Sequence, residues 1–193
     1  MNFPDFKDTL YALLENELKL FIEKEGGDRF YGCYLDGNAE YGDVLLGFNT
    51  EEFLNHSAAN LTGIELHNAK ALGMDTSAPL DVEKRLREHR WSVDCWKFHG
   101  SDGRVGHLNE DEWEEKWSDV AESIEDYAFG DDEDSLEKSH KLFIGQLVEV
   151  VKRLIADGAF EALGKTDDFC VVVADHEDTE EDFVRVDYFA NRP

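Results

Sequence analysis

Between Glu110 and Glu137 the chain carries fourteen aspartates or glutamates, with Lys116 inside that interval and Lys138 just beyond it as counter-charge. Carboxylates at this density could do two kinds of chemistry. They could hold a divalent cation, or they could meet the lysines and arginines of a basic protein. A calcium loop needs Asp at alternating positions, a glycine and a Glu at about the twelfth position. Neither the Asp131-Asp132-Glu133-Asp134 run nor the HEDTEED turn at 176–182 has that spacing. The protein-binding reading therefore leads. In it Glu110, Asp111, Glu114, Glu115, Asp119, Glu122, Asp131, Asp132 and Asp134 offer carboxylates, and Trp113, or whichever of Trp91 and Trp96 is exposed, anchors the contact. Aromatic anchors inside a charged rim are the usual source of interface energy. The competing explanation is a solvated helix face, since charge runs commonly serve solubility.

Other reactive side chains are sparser. Cys95 with His89 or His99 suggests a thiol nucleophile, but a cysteine between two tryptophans is more often packed than reactive. The seven histidines, among them His56, His67, His107, His140 and His176, form no HExxH or other i, i+4 ligand pair. No GxGxxG, GxxxxGK[ST] or GxSxG element is present. An enzyme is thus not the favoured class, and no catalytic residue, metal ligand or cofactor is assigned. The alternatives are a small metal-dependent or thiol enzyme with a cleft near Arg90–Trp96, or a structural accessory protein.

Charge bounds the partners. Forty-five acidic against 19 basic residues give a net charge of -26. Nucleic acid backbones and anionic membranes would both be repelled by such a field, so neither is the expected partner. A basic protein, such as a toxin domain, would be attracted. No run approaches the length of a membrane span, and the opening MNFPDFKDTL lacks the basic start and apolar core of a signal peptide, which predicts a cytoplasmic protein. Cys33, Cys95 and Cys170 are odd in number and widely spaced, as expected of reduced, buried thiols rather than a disulfide framework.

The elements that must position these groups follow from periodicity. Phe30–Leu35 and Val44–Phe48 are short, aromatic or β-prone runs joined by Gly, Asn and Asp, which predicts a β-hairpin. Its apolar residues are consecutive, so both faces should be covered. An amphipathic helix is expected over 3–25 with Pro4 in its first turn, ended by Gly26-Gly27. Thr50 should cap a short helix carried off the second strand, followed by a loop over 62–79 with one helical turn near 66–72. The stretch 81–89 is helix-permissive, and Arg90–Phe98 suits an aromatic wedge at the domain edge. Ser101-Asp102-Gly103 reads as a turn. Leu108, Trp113, Trp117, Val120, Ile124 and Tyr127 give a helix with a narrow apolar stripe over 108–128. Ser135 should cap the longest helix, 136–158, with Leu142, Phe143, Leu147, Val150, Val151, Leu154 and Ile155 as its stripe. Runs at 169–175 and 183–189 read as an interior strand and a strand nearer an edge. The fold class is α+β over residues 1–193 as one domain: an antiparallel or mixed sheet of at least four strands with about five helices.

The landmarks FYGCYL at 30–35, NTEEFL at 49–54, RWSVDCW at 90–96, LFIGQLVEVVKRLIADGAF at 142–160 and VVVADHED at 171–178 resemble a bacterial family, one of the numbered domains of unknown function. That family more often has proline and an acid between the two tryptophans, where this chain has Val93, Asp94 and Cys95. The resemblance implies a compact α+β protein of about this length and carries no catalytic residue. Small acidic proteins of this sort look like the immunity proteins encoded beside bacterial toxins.

Overall fold

A computed structural model describes residues 2–72, 82–92, 96–98, 108–130, 134–176 and 178–191. The hairpin forms where its residues predict it: β1 (Phe30–Asn38) and β2 (Asp43–Thr50) pair antiparallel. The two later runs become β3 (Lys165–Asp175) and β4 (Val184–Asp187), which also pair antiparallel. The two halves join through β1 and β3, which run parallel. The sheet is therefore mixed, in the order β2-β1-β3-β4. A parallel pair needs a crossover, and here the helices between β2 and β3 make it.

Those helices are α2 (Glu51–Ala71), α3 (Val82–His89), α4 (Glu110–Ala128) and α5 (Ser135–Ala156). With α1 (Lys7–Glu25), α4 and α5 bury their stripes against one sheet face, around Cys33, Leu35, Val44, Phe48, Val171 and Val173. Phe21 of α1 stacks on Phe48 with ring centroids 4.0 Å apart. The other face carries Tyr31, Tyr34, Val172 and Ala174 under Leu54 and Trp96, with Leu86, Trp91 and Phe183 half-buried against them. Both faces of the hairpin are thus covered, the second chiefly by aromatic side chains. A Cβ on Gly32 would stand 2.9 Å from the Trp96 ring and 3.2 Å from Trp91, so the strand is bare there to admit the two indoles.

Several boundaries differ from expectation, each for a local reason. Helix α1 starts at Lys7, because Gln146 of α5 ties down the residues before it: its Nε2 donates to the Pro4 carbonyl at 2.9 Å and its Oε1 accepts from Phe6 N at 3.1 Å. Thr50 does cap α2, accepting from Phe53 N at 3.1 Å, but the helix continues through Gly63 to Ala71. Gly63 faces open space, so it costs only its propensity, about 1 kcal/mol, and does not stop the helix. Ser135 does not cap α5. Its hydroxyl donates to the Ala128 carbonyl at 2.8 Å and ties the start of α5 to the end of α4. Leu142, expected in the α5 stripe, is exposed. The last run stops as a strand at Asp187 and closes in a short helix, α6 (Tyr188–Asn191), whose first turn Asp187 caps through Phe189 N and Ala190 N. Phe98 makes an isolated antiparallel bridge with Phe48 along the outer edge of β2, whereas Trp91 and Trp96 of the stretch expected as an edge wedge pack on the sheet face over β1. The turn Ser101-Asp102-Gly103 and the end of the loop expected to run to residue 79 lie outside the described residues.

Candidate functional site: the outer face of α4

The acidic helix owes its pose to its tryptophans. Trp113, Trp117, Ile124 and Ala128 fall on one helical stripe and are buried. A buried indole must place its N–H, and both do. Trp117 Nε1 donates to the Gly42 carbonyl at 2.7 Å, and Trp113 Nε1 donates to Glu17 Oε1 of α1 at 2.9 Å. Glu17, only 3 % exposed, also accepts from Leu108 N at 2.7 Å and Asn109 N at 3.0 Å. One buried carboxylate therefore satisfies donors at the start of α4, where the helix dipole favours negative charge.

With the stripe pinned inward, Glu110, Asp111, Glu114, Glu115, Asp119 and Glu122 all emerge exposed on the outer side, joined by Glu125 and Asp126. Lys116 is engaged by Glu112 one turn earlier, and that hydrogen bond holds the Glu112 carboxyl below its ordinary pKa and raises that of Lys116. Among the described residues, no lysine, arginine or histidine forms an ion pair with Glu110, Asp111, Glu114, Glu115, Asp119 or Glu122. Asp134 is also exposed, just before α5. Asp131 and Asp132 lie outside the described residues.

The expected anchors fare differently. Trp113 and Trp96 are 3 % and 4 % exposed, so neither can anchor an external contact; their size and N–H groups place them in the core. Trp91 is half-buried, with its ring 5.7 Å from Tyr31 and beneath the Arg185 guanidinium at 4.9 Å. Among the described residues the aromatics that do reach the surface are Phe189 of α6 and, close to the acidic helix, Tyr41, in the β1–β2 connection, and Phe129, at the end of α4; the last two form a pair. Tyr41 and Phe129 are 48 % and 59 % exposed, and their rings lie 6.0 Å apart. A signal for Phe129 existed in the sequence, because it sits five residues after Ile124 and so falls off the buried stripe.

In the Arg90–Trp96 region, Arg90 is occupied structurally. Arg90 pairs with Glu51 at 2.8 Å and Asp168 at 2.6 Å, and lies over the Tyr31 ring at 4.2 Å. Its carbonyl accepts from Tyr31 Oη at 2.7 Å and Trp96 Nε1 at 3.2 Å. Cys95 and His99 lie outside the described residues. Burial pushes the Cys33 thiol well up and that of Cys170 up to about 11, so neither is a ready thiolate at neutral pH.

Another constellation forms where β1 and β3 end together. His176 Nδ1 lies 3.1 Å from Oδ2 of the buried Asp36, beside a cavity of about 150 Å3 lined by Asp36, Gly37, Asn38, Asp43, Leu45 and His176. A carboxylate can orient an imidazole for proton transfer, but these lining residues supply no hydroxyl or thiol nucleophile. The acidic turn after it folds on its own carboxylates: Asp178 accepts from Asp175 N at 2.8 Å, and Asp182 from the Thr179 hydroxyl at 2.7 Å. Among the described residues, no group of three or more His, Cys, Asp or Glu could hold a metal ion.

No described helix is long and apolar enough to cross a membrane. No curated protein and no solved structure matches the chain. A family model described as a domain of unknown function, DUF4303, matches residues 10–191. With nearly its whole length matched, the chain belongs to the DUF4303 family.

Proposed function

We propose that this protein is a non-catalytic binding protein of the immunity type, whose acidic face occludes a basic protein partner such as a toxin domain. The observation that carries this reading is the outer face of α4: exposed carboxylates without described cationic partners, on a helix whose rotation two buried tryptophans fix. Rigid presentation matters, because a partner's lysines and arginines then meet charges already in place. Complementary charge speeds encounter and makes it sensitive to salt. The competing reading, a small enzyme near Arg90–Trp96, has less support, since Arg90 is committed to Glu51 and Asp168.

The test is paired capture from lysate of the source cells, using the tagged protein and its Glu114→Lys, Glu115→Lys, Asp119→Lys variant. Recovery by the unaltered protein alone of one small basic protein, in near-stoichiometric amount and released by salt, is the expected result. If both capture the same partner with equal affinity, the α4 face is removed from the binding reading.

A further inference from the structure

Resting on the binding reading above, we infer that the corner formed by Tyr41 and Phe129 is the anchor point of that interface, and that it takes an arginine side chain of the basic partner.

Phe129 is the residue on which α4 ends, and on the helix surface its neighbours one and two turns back are Asp126, Glu125 and Glu122, all exposed. An apolar ring with carboxylates on the preceding helical turns is complementary to a guanidinium, which stacks on an aromatic face while its N–H groups reach carboxylate oxygens. Tyr41 supplies the second ring, tilted by 49° to the first. Its position is fixed from below. Gly42 lies against Ala121 so closely that a Cβ there would stand 2.7 Å from the Ala121 Cα, and the Gly42 carbonyl holds Trp117.

The electrostatics of the helix end point the same way. The carbonyl end of a helix carries partial negative charge and is ordinarily complemented by Lys, Arg or His in the last turn. Helix α4 has no basic residue in its last turn and places Glu125 and Asp126 there instead. The helix dipole, these carboxylates and the exposed ring pair therefore all favour an external cation at one corner. A second copy of this chain, at net charge -26, would be repelled from it.

The test is an NMR titration of the isotope-labelled full chain with an arginine-rich peptide, and separately with a lysine-rich peptide of equal charge, at low salt. It is repeated on the Tyr41→Ser, Phe129→Ser double variant, whose changes are both at the surface. The expected result is shifts centred on Tyr41, Glu125, Asp126 and Phe129 and tighter binding of the arginine peptide. In the double variant affinity falls about tenfold and the preference for arginine is lost. Shifts spread along Glu110–Glu122, with the double variant binding as well as the original, would overturn the corner and leave the acidic-face reading standing. No shift with either peptide would overturn both. Concentration-dependent broadening at the corner without peptide would identify a second copy as its occupant and overturn the proposal.

Discussion

Glu17 and Trp113, on the facing helices α1 and α4, meet through a 2.9 Å hydrogen bond that fixes both the depth and the rotation of the acidic helix. The same carboxylate binds the backbone N–H groups of Leu108 and Asn109. Glu17→Gln turns one oxygen into an NH2 group facing a donor. The expected cost is about 2–3 kcal/mol, since a buried donor then loses its partner. Urea unfolding checks this: the midpoint should fall with an unchanged slope, and a midpoint shift worth under about 0.5 kcal/mol would show that the carboxylate is dispensable.

Gly42 combines a φ of 73° with close contact on Ala121. Gly42→Ala should destabilise by about 2–4 kcal/mol, from the left-handed backbone and from a Cβ with nowhere to go. The loop would lift off α4, and Trp117 would lose its carbonyl partner. A lowered Tm with a red-shifted tryptophan emission is the signature; an unchanged Tm would refute the account of this contact.

The described thiols should be inert. Burial raises Cys170 to about 11 and Cys33 well above its ordinary value, so the thiolate fraction at mildly alkaline pH is small. Alkylation followed by peptide mapping should label both only after denaturation. Labelling of Cys170 in the folded protein at the rate of a free thiol would contradict its burial.

High pH should unfold the chain, and the sign follows from protonated groups. Burial raises Tyr11 to about 12 from 10.0, raises Tyr31 and Tyr34 further, and raises Cys170 to about 11 from 9.0. Because the folded state holds these protons longer, their stabilisation is complete below the unfolded pKa values and is lost as pH rises through the folded ones. Stability should therefore decline from about pH 9 toward pH 12. Tyrosinate absorbance rising together with loss of circular dichroism would confirm the coupling; tyrosines ionising well before unfolding would break it.

Salt should stabilise the protein, because a net charge of -26 repels itself. Added sodium chloride is expected to raise Tm by a few degrees, each kcal/mol being worth about 2–4 °C for a chain of this size. Glu114→Lys, Glu115→Lys, Asp119→Lys should raise Tm at low salt, since no described ion pair is lost. A fall in Tm would show that these carboxylates stabilise the fold.

Much of this was legible in the residues. The Trp113, Trp117, Ile124 stripe predicts both α4 and its exposed acids, and the apolar run at 169–175 predicts an interior strand. What escaped depended on distant partners. Nothing near Pro4 foretells Gln146, and nothing near Gly63 says that it faces solvent. Asp36 and His176 are neighbours only because β1 and β3 run parallel, a pairing that strand composition does not encode. Glu17 was legible in principle: it occupies a position on the Leu10, Leu14, Leu18, Phe21 stripe, where a charged residue requires buried donors. The tryptophans misled as anchors because an indole suits a core and an interface equally, and only the N–H partners decide between them.

The parallel pairing of β1 with β3 also orders events in time. During synthesis the hairpin is complete once Thr50 has emerged, but β1 gains its second neighbour only when β3 follows, after the whole helical crossover. Until then one edge of an aromatic, β-prone strand stays open to pairing with other chains. Closing so long a connection makes such topologies slow to fold. The acidic helix leaves the ribosome before β3, so growing chains already repel one another while that edge is open.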